Sequence, residues 1–226
     1  MLPQPVVQPV GDTAILVSFG DSIDPAVFDH ILALEAALLA DPPPGLVETV
    51  PAYATLLLIL DPLVTDAETL ATAALALSSA TVAAPVTGAL HHIPMCTDAD
   101  LAPDLADAAD RLGLSPEALI ETHLATEFRV YMYGFAPGYA YMDGVAPALH
   151  LPRKAVPVRS RPPGTIMIAG GQCLITTLPM PTGWWVIGAT RTPVLRPDDA
   201  RPFLFQPGDR VRFTRQSRND FDSGTA

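Results

Sequence analysis

Aromatic residues and glycines between Tyr131 and Met142 are the part of the sequence best suited to binding a small molecule. Tyrosines and Phe135 alternate there with Gly134, Pro137 and Gly138. Glycine lets the backbone turn tightly and approach a ligand, while aromatic rings supply flat apolar walls and phenol hydroxyls. The pattern favours a ligand pocket, although a packed turn between domains would have the same composition.

Two further segments could bind an anion. Arg153 and Lys154 form a basic pair, followed by Arg159 and Arg161, and arginine binds carboxylates and phosphates through two parallel hydrogen bonds. A solvated basic surface is the plainer alternative. Residues 169–172 read Ala-Gly-Gly-Gln, where successive backbone N–H groups could form an anion nest or, equally, a hairpin turn.

Tryptophan and histidine residues add two more candidates. Trp184 and Trp185 follow Gly183, and neighbours on a strand face opposite ways, which predicts one core indole and one partly exposed indole. His123 and Glu127 could form a general-base pair. A helix-end histidine that faces solvent is the better interpretation of His123.

The motifs of several enzyme classes are absent from the sequence. It contains no G-x-x-x-x-G-K-[ST] loop, no G-x-G-x-x-G turn and no G-x-S-x-G elbow. The five histidines have no zinc-binding spacing, and Cys96 and Cys173 are expected to be buried apolar residues. The sequence therefore assigns no catalytic residue and no metal site, and a self-contained hydrolase is disfavoured.

The elements before residue 126 alternate between strands and helices. Asp24 and Pro25 predict a helix start, the pair Thr65 and Glu68 predicts a capping box, and Ser115 with Pro116 opens another helix. Apolar, partly β-branched runs lie between these helices. This alternation is typical of an α/β sandwich.

After Thr126 the helical period disappears. Short apolar runs recur at 128–133, 165–169, 173–178, 184–188, 193–195, 203–205 and 210–214, separated by Pro-Gly and Gly-Gly turns. That pattern predicts a small β-barrel or sandwich. The polar tail, residues 216–226, is predicted to be frayed.

The distribution of charge also divides the chain into two parts. The 226 residues have a net charge of −11, yet residues 1–150 contain 19 of the 24 acidic residues, and residues 151–226 contain 11 of the 13 basic ones. The acidic half should repel nucleic acid and anionic membranes. No apolar run approaches the ~20 residues that span a bilayer, and no basic signal-peptide head is present. We expect a cytoplasmic protein with neither nucleic-acid nor membrane partners.

The motifs together resemble the KipI-like family, which includes the B subunit of the bacterial 5-oxoprolinase, subunit 1 of allophanate hydrolase and the C and D subdomains of urea-carboxylase-type carboxyltransferases. The segments that carry the resemblance lie along nearly the whole chain: Gly11–Ala14, Val50–Tyr53, His92–Cys96, Gly134–Tyr141, Pro152–Ala155, Ile168–Gln172, Gly183–Trp184, Arg191–Pro193 and Pro207–Val211. The G-F-x-P-G-x-x-Y and A-G-G-Q segments are the most specific.

The resemblance implies an α+β fold, with an N-terminal α/β sandwich domain (1–88) and a C-terminal cyclophilin-like β-barrel (89–226). The helical segment 100–125 could pack with either domain.

The resemblance also implies partners, namely the KipA-like C-type protein and the A-type protein of 5-oxoprolinase. The implied reaction is the ATP-dependent opening of the 5-oxoproline lactam to glutamate, with ATP bound by the assembled complex. The predicted pocket or partner-contact residues are Tyr53, Gly134, Phe135, Pro137, Gly138, Tyr141, Arg153, Gly170, Gly171, Gln172 and Trp184.

Two other functions remain open at this point. A carboxyltransferase or allophanate hydrolase component would act on a different amide substrate. A KipI-like inhibitor of a sensor histidine kinase would bind a helical protein partner instead. The sequence alone leaves the exact substrate, the groups that transfer protons and the oligomeric state undecided.

Overall fold

The computed structural model describes residues 3–81, 88–196 and 200–224. The chain divides into two compact units, residues 1–87 and 88–226. Each unit has its own apolar core. Among the described residues, no helix combines the length and apolarity needed to cross a bilayer.

The described residues of the first unit form a four-stranded antiparallel sheet with two helices. Its elements are β1 (Val6–Pro9), β2 (Ala14–Ser18), α1 (Pro25–Ala40), β3 (Leu46–Ala52), β4 (Thr55–Leu60) and α2 (Ala67–Ala80). The strands lie in the order β1-β2-β4-β3. Alternate residues of β4, Leu56, Leu58 and Leu60, are buried in a core to which both helices contribute. The predicted α/β sandwich is confirmed.

The helix starts of this unit follow from their caps. The Asp24 carboxylate accepts a hydrogen bond of 2.8 Å from the Ala26 N–H at the start of α1, as predicted. The predicted capping box at Thr65 is wrong. Asp66 caps α2 instead, and its carboxylate accepts from the Thr69 N–H at 2.7 Å. The Thr65 backbone N–H, which a capping box would pair with the Glu68 side chain, donates to the Asp61 carbonyl in the preceding turn.

The second unit contains nine strands and three α-helices among its described residues. They are β5 (Leu90–Met95), α3 (Leu105–Leu112), α4 (Pro116–Leu124), β6 (Glu127–Tyr133), β7 (Ala140–Asp143), β8 (Val158–Arg161), β9 (Thr165–Ala169), β10 (Gln172–Ile175), β11 (Met180–Thr182), β12 (Trp185–Ala189), β13 (Arg210–Arg215) and α5 (Arg218–Ser223). A 3₁₀ turn covers Pro147–Leu149. The helical segment 105–124 contributes buried residues to the core of this unit.

Seven of these strands form a barrel-like sheet in the order β12-β9-β10-β7-β6-β13-β5. Only the β13–β5 pair is parallel among the pairings of this sheet. Its two ends are joined where Cys96 and Ala189 exchange two backbone hydrogen bonds of 2.9 Å. Closing the sheet removes its open edges. Strands β8 and β11 lie outside it and pair with each other in a two-stranded ribbon.

The sheet has an apolar cluster on each face. Trp185 belongs to the large interior core, whereas Trp184 packs with Tyr139 and Met167 on the opposite face. The predicted opposite orientation of the two indoles is confirmed. The predicted partial exposure of one of them is wrong, because residues of the outer cluster bury Trp184 as well.

The end of the chain also departs from prediction. Residues 218–223 form α5, capped by the Ser217 hydroxyl, which accepts from the Asp220 N–H at 3.2 Å. The prediction of a frayed tail is wrong for residues 216–224, because Phe221 buries its ring against Cys96 and Ala189. The last two residues, 225–226, lie outside the described part of the chain.

Candidate functional site

A cavity of about 380 Å³ lies on the outer face of the second unit's sheet. Its walls come from the β6–β7 loop, from β7, from residues 153–157 and from the segment that joins β11 to β12. The lining residues are Phe135, Tyr139, Tyr141, Arg153, Lys154, Ala155, Pro157, Pro181, Thr182, Gly183 and Trp184. The volume falls within the ~300–1,000 Å³ of typical small-molecule sites.

A continuous series of rings forms one wall of this cavity. The Phe135 and Tyr139 ring centroids are 5.7 Å apart, and Tyr139 and Tyr141 are also 5.7 Å apart in an edge-to-face arrangement. Tyr141 in turn lies 6.2 Å from the Trp184 ring. Burial, assisted by the neighbouring Tyr141, raises the pKa of the Tyr139 phenol well above its usual value, so this hydroxyl stays protonated at neutral pH.

The loop that carries Phe135 is tightly constrained. The Gly134 N–H donates to the Tyr139 carbonyl at 3.1 Å, and Tyr139 donates back to Ala136. Phe135 has a positive φ of 68°, a conformation that is strained for a residue with a Cβ. Its side chain is nevertheless 73% exposed. The loop therefore keeps the Phe135 ring at the cavity rim, although the backbone conformation there is unfavourable for phenylalanine.

Arg153 is the cation available in this cavity. Its guanidinium carbon lies 5.6 Å from the Trp184 ring centroid, and no described residue forms an ion pair with it. Lys154 is different, because its ammonium group donates to the Asp104 carboxylate at 2.5 Å. That pair neutralises Lys154, so Arg153 is the cavity's cation without an ion-pair partner among the described residues.

The backbone around Arg153 is fixed by hydrogen bonds. The Lys154 N–H donates to the Gly183 carbonyl at 2.7 Å, and the Trp185 indole N–H donates to the Pro152 carbonyl at 2.7 Å. Asp104 also accepts from the Val186 N–H at 2.8 Å, which ties the start of α3 to the same region. Arg153 is therefore presented from a rigid segment.

The structure brings together four of the predicted site residues, Phe135, Tyr141, Arg153 and Trp184. Gly134 and Gly138 support the loop from behind. A Cβ at Gly134 would lie 3.2 Å from the Tyr141 ring, and one at Gly138 would lie 2.9 Å from Phe203. Pro137 is exposed in the same loop and does not line the cavity.

The predicted Gly170–Gln172 segment lies apart from the cavity lining. It forms the β9–β10 hairpin turn, with Gly170 at a φ of 55° and its N–H donating to the Leu151 carbonyl at 2.7 Å. That N–H is therefore not available to an anion nest. Gln172 pairs across the sheet with Asp143, beyond the end of the aromatic wall. The hairpin interpretation accounts for these residues.

Tyr53 belongs to the first unit. It occupies the β3–β4 turn with a positive φ of 44° and lines a separate cavity of about 270 Å³ with Gly20, Asp21 and Ser22. Every residue that lines the 380 Å³ cavity belongs to the second unit. Tyr53, which the resemblance places among the pocket or partner-contact residues, therefore does not line the aromatic cavity.

The proposed pairing of His123 with Glu127 is wrong. Glu127 accepts from the Arg212 guanidinium at 3.0 Å. His123 is fully buried between Phe128 and Phe213, and neither ring nitrogen has a hydrogen-bond partner among the described residues. Burial lowers the pKa of His123 to about 3. The solvent-facing interpretation is also wrong, because α4 packs this residue into the barrel core.

The list of predicted site residues omits seven of the residues that line the cavity, although most of them lie in or beside the segments singled out in the sequence. These are Tyr139, Lys154, Ala155, Pro157, Pro181, Thr182 and Gly183. Tyr139 had a usable signal, since it is separated from Tyr141 by one residue and alternate strand residues share a face. Pro181 and Thr182 directly precede Gly183 and Trp184, whereas Pro157 had no signal, because the β8–β11 ribbon beside it is formed by tertiary pairing. In the described part of the chain, no group of three acidic, histidine or cysteine side chains is placed to hold a metal ion.

Comparison with known proteins points to one family. The family described as carboxyltransferase domain, subdomain C and D, matches residues 5–205. The B subunit of 5-oxoprolinase from Bacillus subtilis (strain 168) is 32% identical over 95% of this chain and 94% of that protein. The crystal structure of TTHA0988 superposes with a TM-score of 0.80 at 37% identity over 91% of this chain, which spans only 40% of that protein. K. lactis urea amidolyase shares the fold, with a TM-score of 0.81 over 98% of this chain and 15% of that protein, at 17% identity.

Proposed function

The chain belongs to the family of carboxyltransferase domains, subdomain C and D, and on this premise we propose that it is the B subunit of an ATP-dependent 5-oxoprolinase. Three relatives that bear the name of this B subunit support the assignment. In this proposal, the chain helps to open the 5-oxoproline lactam to glutamate in a site shared with other subunits. The designation as one subunit of several implies partner proteins, which we propose to be a KipA-like C-type protein and an A-type protein.

The observation that carries the proposal is the aromatic cavity with one uncompensated arginine. 5-Oxoproline is a small flat ring that bears one carboxylate. Tyr141 and Trp184 offer flat apolar surfaces for the ring, and Arg153 offers a guanidinium for the carboxylate. Because Lys154 is already paired with Asp104, the cavity presents one positive charge to a ligand with one negative charge.

The chemistry of the reaction explains why this chain would not act alone. The lactam C–N bond must break, water must supply an oxygen of the new carboxylate, and the ring nitrogen must take up protons and become the α-ammonium group of glutamate. ATP would make the amide a better electrophile by phosphorylating its oxygen, which releases ADP, and the attack of water would then expel that oxygen as inorganic phosphate. This chain has no P-loop, and one guanidinium is a poor match for a triphosphate, so we assign it no nucleotide step. Its part would be to bind and orient the lactam while its partners hold the nucleotide.

Activity of the assembled enzyme tests the proposal. The chain is co-purified with its A-type and C-type partners, and glutamate is measured from 5-oxoproline with and without ATP. We expect ATP-dependent glutamate from the full assembly and none from this chain alone. Absence of product from an intact assembly would refute the assignment, and ATP-dependent turnover of urea or allophanate instead would favour the carboxyltransferase alternative.

A pair of variants tests the role of Arg153. Arg153→Gln should raise KM for 5-oxoproline about tenfold or more with little change in kcat, since a charge-assisted hydrogen bond contributes roughly 1.5–3 kcal/mol and the carboxylate lies away from the breaking bond. Arg215→Gln is the matched control, because Arg215 forms an exposed ion pair with Glu117. An unchanged KM in Arg153→Gln would exclude Arg153 from substrate binding.

A further inference from the structure

A second and larger cavity lies in the same unit, at one end of the barrel. Its volume is about 610 Å³, and it shares no lining residue with the aromatic cavity. The walls are formed by residues 162–164 before β9, residues 176–177 after β10 and residues 189–195 at the end of β12 and beyond, with Leu101 and Phe221. The proposed 5-oxoprolinase activity makes no use of it.

Backbone hydrogen bonds preform this cavity. The Gly164 N–H donates to the Thr176 carbonyl at 2.8 Å, and the Thr190 N–H donates to the Gly164 carbonyl at 2.8 Å. Gly164 has a φ of 82°, and a Cβ there would lie 2.1 Å from the Thr190 carbonyl oxygen. Only glycine fits at this close approach, and the two hydrogen bonds hold the loops at residues 164, 176 and 190 together. A preformed cavity avoids the ordering cost of binding.

Arg191 is held at the rim in one orientation. Its Nε donates to the Phe221 carbonyl at 2.7 Å, and its guanidinium carbon lies 4.7 Å from the Phe221 ring centroid. These contacts use Nε and one flat face of the guanidinium. In the described part of the chain, neither terminal nitrogen donates to a protein acceptor. The terminal nitrogens of this fixed group are therefore available to an external anion.

The lining indicates which anion would fit. None of the described residues that line the cavity carries a carboxylate, so the Arg191 charge is not neutralised there. The Thr190 hydroxyl bonds to Thr192, while the buried Thr177 hydroxyl lies in the wall without a partner among the described residues. Leu101, Val194, Leu195, Phe221 and three prolines make up most of the remaining surface.

We propose that this cavity is a second ligand site, which binds a small monocarboxylate with an apolar body. The carboxylate pairs with the terminal nitrogens of Arg191, and the apolar body lies against the leucines, Val194 and the prolines. One guanidinium matches a single negative charge, whereas phosphates are generally bound by several cations or a row of backbone N–H groups. The site is separate from the one assigned to 5-oxoproline and does not depend on that assignment.

Methyl NMR of the full chain tests the proposal. Hexanoate and benzoate are titrated against hexanamide and benzamide, which match them in shape but carry no charge, and inorganic phosphate is titrated separately. We expect saturable shifts of the Leu101, Val194, Leu195, Thr190 and Thr192 methyl groups with the acids, and binding about tenfold weaker for the amides. This comparison needs no variant and so does not depend on the folding of one.

Two variants locate the site. Arg191→Gln should weaken acid binding about tenfold and leave amide binding unchanged, whereas Arg153→Gln, in the other cavity, should leave these methyl shifts unchanged. Equal shifts with acids and amides, no saturable shift, a response to phosphate alone, or loss of acid binding in Arg153→Gln would each overturn the proposal. Failure of the 5-oxoproline assay would not affect it, because these titrations measure no turnover.

Discussion

Replacing Phe135 should separate the stability of the aromatic cavity from its function. Phe135 has a φ of 68° and a side chain that is 73% exposed. At most positions glycine is less stable than alanine, but in this left-handed conformation a Cβ is disfavoured and glycine is not. We therefore expect Phe135→Gly to be more stable than Phe135→Ala. Both variants lose the same ring, so their difference reports the backbone alone.

The size of that difference follows from two opposing effects. A residue with a Cβ in the left-handed region costs about 1–2 kcal/mol. Glycine costs about 0.4–1 kcal/mol more in conformational entropy, because its unfolded chain is freer. At the middle of both ranges the net advantage of glycine at position 135 is about 0.8 kcal/mol, which corresponds to roughly 2–3 °C in Tm for a unit of this size.

Thermal unfolding of the two variants, together with 5-oxoproline binding, checks this prediction. Ala106→Gly is the matched control, since Ala106 is exposed in α3 and glycine there should be less stable than alanine. Both Phe135 variants should bind 5-oxoproline more weakly than the unmodified protein, because one cavity wall is gone. If Phe135→Ala proved as stable as Phe135→Gly, the strain attributed to this loop would be refuted.

Two further predictions concern the second unit. Burial lowers the pKa of His123 to about 3 in the folded state, below its unfolded value of about 6.5, so its contribution to stability is full above pH 6.5 and is lost as pH falls towards 3, by up to about 1.4 kcal/mol per pH unit. The free energy of unfolding of His123→Leu, measured in urea, should therefore fall less steeply with decreasing pH than that of the unmodified protein. Identical slopes would contradict the buried neutral imidazole. Gly164→Ala should lower the Tm of the unit by several degrees, because its Cβ would meet the Thr190 carbonyl oxygen at 2.1 Å; calorimetry that showed an unchanged Tm would contradict the geometry of the second cavity.

Much of the local structure could be predicted from the sequence. The cap at Asp24, the helix start at Ser115 and the opposite faces of Trp184 and Trp185 follow from interactions within a few residues of each other. The errors at Thr65 and in the tail arise where such local patterns compete or end. Asp66 lies next to Thr65 and caps the helix in its place, and Phe221 is buried by residues distant in sequence, which a local pattern cannot register.

The candidate site shows the same division. Residue types marked the aromatic loop and the Arg153 segment as candidates for ligand binding, the resemblance named Phe135, Tyr141, Arg153 and Trp184 among the predicted site residues, and the structure places these four around one cavity. Residue type could not distinguish Arg153 from Lys154. The distinction depends on Asp104, fifty positions away, which pairs with Lys154 and leaves Arg153 without an ion-pair partner among the described residues.

The sequence by itself determined the two-part organisation, the helix boundaries set by local caps and the chemical character of the aromatic loop. Only the tertiary structure decided which charged groups lack an ion-pair partner, which histidines are buried and where the cavities lie. The physical reason is the separation along the chain between the residues that interact. Caps, turns and strand alternation act over a few residues, whereas burial, ion pairing and cavity shape depend on β-strands that pair across long separations, as β13 does with β5.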